Sequence, residues 1–135
     1  MIQVLDQLTK LADAGRQLSE MKDAAALHER IFDLIATIFG NQTAAILLKD
    51  PRDGMLRVVA SRGYDPDVVR GFRVAPGQGV TGTALATGMS QLVTETVNDA
   101  RYIRGVADAV SEIAAPLNTG GDIVGVLDME SREHR

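Results

Sequence analysis

Apolar positions recur along this chain at two periods, first helical and then extended. Val4, Leu8, Leu11 and Leu18 fall at spacings of four, three and seven, a heptad-like seam interrupted by Gly15 and Lys22. The spacing predicts a helix over residues 2–22. Asp23 is placed to cap a second helix with the stripe Leu27, Ile31, Leu34, Ile35, Ile38 and Phe39, and Gly40 is placed to stop it. From Thr43 the period shortens. Thr43–Lys49 is a nearly continuous apolar run, Asp50–Gly54 has turn composition, and Leu56–Ser61 is a second run, so residues 43–61 predict a hairpin. Asp65-Pro66 opens a short helix reaching Gly71, with Val68, Val69 and Phe72 as its apolar residues. Pro76-Gly77 marks a turn, Gly79–Thr87 a short helix between glycines, and Gln91–Thr94 a brief strand. A polar, irregular stretch spans 96–105, and 106–110 leads into the last two runs.

Those runs, Ser111–Leu117 and Ile123–Met129, flank the polar, glycine-rich segment Asn118–Asp122 and predict a closing hairpin. Side chains alternate faces along a strand, so Asp128 and Glu130 point the same way and continue the face of Val124 and Val126. Glu112 lies on the other arm. Pairing across the turn brings Glu112, Asp128 and Glu130 together near the open end of the hairpin. Such a pair ending an apolar face is either the rim of a pocket or a strand end emerging into water. In a partly apolar cavity the carboxylates favour a cationic group such as an amine, held by charge-assisted hydrogen bonds.

Adjacent strands joined by tight turns predict the α+β class. The expected architecture is a central antiparallel sheet with the N-terminal helices on one face and short helices and loops over a pocket on the other. With 135 residues, 45% hydrophobic, and a net charge of −4, the chain is expected to be a single domain, 1–135, with an N-terminal helix to residue 22 and a core over 23–130. No stretch approaches the roughly 20 apolar residues that cross a bilayer, and the N-terminus is not a secretory signal, which points to a cytoplasmic protein. The absence of cysteine excludes disulfides, thiol nucleophiles, cysteine-ligated zinc and thioether-linked chromophores within these residues. Mild acidity and 4% aromatics argue against a nucleic-acid surface. His28 and His134 have no partner at metal-ligand spacing, and Ser61, Ser90 and Ser111 have no evident base. The chain is therefore expected to be no enzyme and to carry no cofactor or metal.

Two further candidates stand apart from the acidic residues. The helix start at Gly77–Ala84 offers backbone N–H groups and the hydroxyls of Thr81 and Thr83 to an anion, or else uses its glycines for turn geometry alone. It lacks the lysine of a phosphate-binding loop. The segment Thr94–Arg104 offers Thr94, Asp99, Arg101, Tyr102 and Arg104, with Asp99 and Arg101 equally readable as a local ion pair.

In this order, three segments resemble those of GAF domains: Gly77-Gln78-Gly79-Val80-Thr81-Gly82-Thr83-Ala84 followed by Gly88, then Thr96-Val97-Asn98-Asp99-Ala100-Arg101-Tyr102, then Ser111–Leu117 with Gly125-Val126-Leu127-Asp128. The resemblance covers residues 23 to 130. It implies a sensory module with a small molecule held between the sheet and its covering loops. The residues it brings to that ligand are Phe72, Val80, Thr81, Thr94, Asp99, Arg101, Tyr102, Glu112, Asp128 and Glu130. Binding would reorder the 94–105 loop and bias the N-terminal helices, acting on a homodimer or on an attached output domain. The alternative is a dimerisation module with an empty pocket. The long helix with which GAF domains usually end is expected to be missing, since only Ser131–Arg135 follow Glu130.

Glu112, Asp128 and Glu130 also match the positions at which free methionine-R-sulfoxide reductases, enzymes of the same fold, hold their amino-acid substrate. That chemistry needs cysteines. Arg104 and Gly105 stand near where one is expected, so the resemblance implies amine binding without the reaction. The signature of cyclic-nucleotide-binding GAF domains is not found in order.

Overall fold

A computed structural model describes residues 6–11, 13, 23–40, 43–94, 100 and 111–131. The chain divides into two compact units, residues 1–42 and 43–135. In the first, residues 6–11 and 13 are helical, and Leu8 and Leu11 are exposed. Val4 and Leu18, the other members of the expected seam, lie outside the described residues. Helix α1 (Ala24–Phe39) begins where Asp23 Oδ1 accepts a hydrogen bond from the Ala26 N–H at 3.1 Å. It ends at Gly40, which adopts φ 77° and donates its N–H to Ala36 O. Phe32, Ile35 and Ile38 are its buried residues. Phe32 is missing from the stripe read in the sequence, yet it lies three residues before Ile35 and shares its buried face.

The second unit is built on six strands: β1 (Thr43–Lys49), β2 (Leu56–Arg62), β3 (Arg73–Val74), β4 (Gln91–Val93), β5 (Ser111–Thr119) and β6 (Asp122–Ser131). Their order across the sheet is β3-β2-β1-β6-β5-β4, with every neighbouring pair antiparallel. Two helices interrupt the strands, α2 (Pro66–Gly71) and α3 (Gly79–Thr87). The α+β class expected from the patterning is the one observed. Strand β3 is an addition. Its two residues pair Val74 with Leu56 and Arg73 with Arg57, too short a run to leave a period in the sequence.

The β1–β2 turn is fixed by Asp50. Its Oδ1 accepts from Arg52 N at 2.9 Å and Nε at 3.1 Å, and its Oδ2 accepts from Arg52 Nη2 at 2.8 Å and Arg57 Nε at 2.9 Å. These bonds, from Arg52 above all, hold the Asp50 carboxyl well below the usual carboxylate range.

One face of the sheet carries the core. Ala45 and Leu47 of β1, Leu56 of β2, Val74 of β3, Val93 of β4, Ala114 of β5 and Val126 of β6 pack with Val80, Ala84 and Leu85 of α3. Helix α3 is buried at Val80, Thr81, Gly82, Ala84 and Leu85. It lies so close to the 75–77 turn that a Cβ at Gly82 would fall 2.4 Å from Ala75 O. No helix among the described residues is long and apolar enough to cross a membrane.

The β5–β6 hairpin is longer than its pattern suggests. The expected turn, 118–122, shrinks to Gly120 (φ 59°) and Gly121 (φ 104°), because Asn118 pairs with Ile123 and Thr119 with Asp122. Both turn residues are left-handed, which glycine adopts without a Cβ clash and which matches the twist of a two-residue hairpin. Farther along β6, Gly125 faces Leu48 of β1, and a Cβ there would lie 2.2 Å from Leu47 O. Gly125→Ala is therefore expected to destabilise the fold by about 3 kcal/mol, seen as a lower urea midpoint. An unchanged midpoint would contradict the close approach of β1 and β6.

Candidate functional site

Toward the Glu130 end of β6, the apolar face of the sheet becomes acidic. Val126, Asp128 and Glu130 share that face, and the β5–β6 register sets Glu112 directly opposite Glu130 and Ala114 opposite Asp128. On its other side, Asp128 pairs with Ala45 of β1. The neighbour of Asp128 on each adjacent strand is thus an alanine, and the small side chains leave room above the sheet. Helix α2 stands over this space. Its Asp65 N-cap accepts from Asp67 N at 2.8 Å, Pro66 occupies the first turn, and Arg70 pairs with Asp67 on the outside.

The result is a small cavity of about 30 Å³, open to solvent at its mouth. The apolar wall is Ala45 and Leu47 from β1, Val58 from β2, Val68 and Val69 from α2, and Phe72 after it. The polar wall is Tyr64, Glu112, Asp128 and Glu130. Among the described residues lining it there is no Lys, Arg or His. The strand does not emerge into water at its acidic end: Glu112 and Asp128 are 5% exposed and Glu130 3%. Their nearest oxygens all lie within 4.8 Å of one another, a spacing that brackets one cation.

Tyr64 orders the cluster. Its hydroxyl donates to Asp128 Oδ2 at 2.8 Å, and Asp128 Oδ1 is buried with no hydrogen-bond partner. Burial pushes the Asp128 carboxyl up from its ordinary 3.8, while the hydrogen bonds from Glu112 and Tyr64 pull it partly back. Burial, followed by the charges of Asp128 and Glu130, drives the Tyr64 phenol well above its usual range. Tyr64 therefore remains a proton donor at neutral pH.

Of the residues read from the sequence, the structure brings Phe72, Glu112, Asp128 and Glu130 to this cavity. Val80 stands in the core beside Leu85 and Val93, and Thr81 is buried in α3; neither lines the cavity. At the helix start, the Thr83 hydroxyl donates to Gly79 O at 2.6 Å and is spent within the helix. Thr94 is exposed, and Asp99, Arg101 and Tyr102 lie outside the described residues. Tyr64 is the polar residue that the sequence reading missed. A signal exists: Tyr64 immediately precedes the N-cap Asp65, and Val69 sits four residues into the helix, the two positions of a hydrophobic staple.

The raised carboxyl of Asp128 has a signed consequence. The native state holds this proton more tightly than the unfolded chain, so the group's contribution is fully present below pH 3.8 and is lost as pH rises through its native value. Asp128→Asn is expected to flatten the fall in stability toward neutral pH and to raise the thermal midpoint by a few degrees at pH 8. Parallel midpoint-against-pH curves for the two proteins would show that Asp128 is not strained by burial.

The chain matches a GAF domain family model over residues 22–135. No curated protein matches it in sequence. Among solved structures, it is similar to the free methionine-R-sulfoxide reductase of Neisseria meningitidis in complex with its substrate, at 25% identity and a TM-score of 0.78, covering 92% of this chain and 72% of that one. The corresponding reductase of Staphylococcus aureus in its reduced form gives 20% identity and a TM-score of 0.75, covering 95% and 80%. The GAF domain of a phosphoenolpyruvate-protein phosphotransferase from Coxiella burnetii gives 13% and 0.83, covering 97% and 82%. The last two establish the fold alone. With the family model spanning most of its length and the same architecture in these structures, the chain belongs to the GAF domain family.

Proposed function

We propose that this GAF domain is a non-catalytic sensory module whose cavity binds a small molecule through a primary ammonium group. A sensory or regulatory role is the general one of the family. The ammonium follows from one observation: three buried carboxylates converge on a cavity whose described lining contains no base. An –NH₃⁺ group has three N–H donors, one for each carboxylate, and its charge offsets part of the penalty of burying them. Leu47, Val58, Val68, Val69 and Phe72 give the rest of the molecule an apolar wall. A quaternary ammonium has no N–H to donate, and Tyr64 and Phe72 are the aromatic residues of the wall, short of a cage around a methylated cation.

The similarity to methionine sulfoxide reductases suggests amino acids as ligands to try first. It does not extend to their chemistry, because thiol attack on a sulfoxide needs a cysteine and these 135 residues contain none. A ligand at this site would act on an output only through its different affinity for two states of the domain.

Primary amines, methionine sulfoxide among them, are expected to raise the thermal midpoint by on the order of 10 °C at 100 times the dissociation constant. Choline should leave it unchanged, and Asp128→Asn should abolish the amine effect. Equal shifts in the native and Asp128→Asn proteins would rule out the acidic cavity as the binding site.

A second reading rests on the exposed Leu8 and Leu11, three residues apart on the N-terminal helical segment. Apolar pairs of that spacing are suited to a helix from a second copy. If they mediate dimerisation, Leu8→Asp yields monomers in sedimentation, whereas a native chain already monomeric at high concentration overturns this reading.

A further inference from the structure

The same carboxylates have a second capability that does not depend on an organic ligand. We propose that Glu112, Asp128 and Glu130 form a binding site for a divalent cation of the calcium class. Three features carry it. The donors are all carboxylate oxygens, the hard ligands that suit Ca²⁺, Mg²⁺ and Mn²⁺ rather than metals that favour nitrogen or sulfur. They come from adjacent positions of one hairpin, with Glu112 opposite Glu130 and Asp128 two residues before Glu130 on the same face, so a well-paired sheet presents them. And Asp128, 5% exposed and lining the cavity, has an Oδ1 with no hydrogen-bond partner while Tyr64 occupies its Oδ2. A buried carboxylate oxygen without a donor is unfavourable, and a cation in the cavity relieves it directly.

The three oxygens lie within 4.8 Å of one another, close enough to share one cation of this class. Calcium also tolerates irregular coordination and takes six to eight oxygens, of which the three carboxylates supply three to six. The remainder are water, entering from the cavity mouth. The Tyr64 hydroxyl is not among the ligands, because it donates to Asp128 Oδ2. This site shares its carboxylates with the ammonium reading but not its ligand, and one ion excludes the other.

The test is calorimetric titration of the metal-stripped chain with CaCl₂, with MgCl₂ for comparison and KCl as the ionic-strength control. The expected result is one Ca²⁺ per chain with a dissociation constant below about 1 mM and weaker Mg²⁺ binding. Asp128→Asn is expected to weaken calcium at least tenfold, while Asp122→Asn, at an exposed carboxylate that opens β6 at the far end of the hairpin, leaves it unchanged. Circular dichroism checks that the Asp128 variant folds; if it does not, Glu130→Gln replaces it. Absence of Ca²⁺ binding by the native chain overturns the proposal, as does binding that survives the loss of Asp128. Titration with butylamine separates the two readings. Calcium without amine binding removes the ammonium reading and leaves the metal site standing. Amine without calcium binding does the reverse. Competition between them supports the assignment of calcium to this cluster, and simultaneous independent binding overturns it.

Discussion

Everything at the acidic cavity depends on the register of β5 against β6. A two-residue turn of left-handed glycines, Gly120 and Gly121, starts the ladder, and its eighth residue pair sets Glu112 opposite Glu130. Side chains alternate along both strands, so a slip of one residue would turn Asp128 and Glu130 to the opposite face and bring Met129 in their place. Strand β6 is pinned on its other side as well, where Asp128 meets Ala45 and Gly125 lets β1 approach closely. The carboxylates are thus set by backbone hydrogen bonds and sterics on both flanks of one strand, not by a flexible loop.

Placing three carboxylates in the interior opposes folding, and the rest of the face offsets it. Leu47, Leu56, Val74, Val93 and Val126 are almost completely buried beside them, each contributing about 1.5–3 kcal/mol relative to exposure. The apolar half of the sheet secures the fold while the acidic half carries the buried carboxylates. Tyr64 joins the two halves: its ring packs against the core, and its hydroxyl turns Asp128 Oδ2 away from competing donors. A ligand that binds the folded chain and not the unfolded one stabilises it, which is the thermodynamic condition for ligand-dependent change. The ammonium group and the metal ion proposed above are alternative occupants of the same three carboxylates.

Much of the framework was legible in local pattern. Asp23 and Gly40 bracket α1, Asp65-Pro66 opens α2, and glycines mark the ends of α3, because caps and breakers act over a few residues and leave their signature in sequence. The two-residue spacing of Asp128 and Glu130 already placed them on one face. Less legible were features that depend on a neighbour distant in the chain. Strand β3 exists because β2 offers it an edge. The start of α3 was readable either as an anion site or as turn geometry alone, and the burial of Thr81 with the Thr83 hydroxyl bonded back to Gly79 favours the second. Tyr64 meets Asp128 across 64 positions of sequence, a separation at which no periodicity operates.

By itself, then, the sequence determined the α+β class, the ends of the helices α1 to α3, the absence of cysteine from these residues and the shared face of the acidic residues. These follow from dihedral preferences, alternation and composition, all local properties. Whether that face met water or lined a cavity was open at that level, since the same alternation describes a solvated strand end equally well. Only the tertiary structure decided it. Helix α2 covers the space above the paired strands, the alanines at 45 and 114 leave it open from below, and Tyr64 reaches across to bind Asp128. Burial is a property of what packs above a residue, and that is set by contacts between distant segments, not by the residue's own neighbours in the chain.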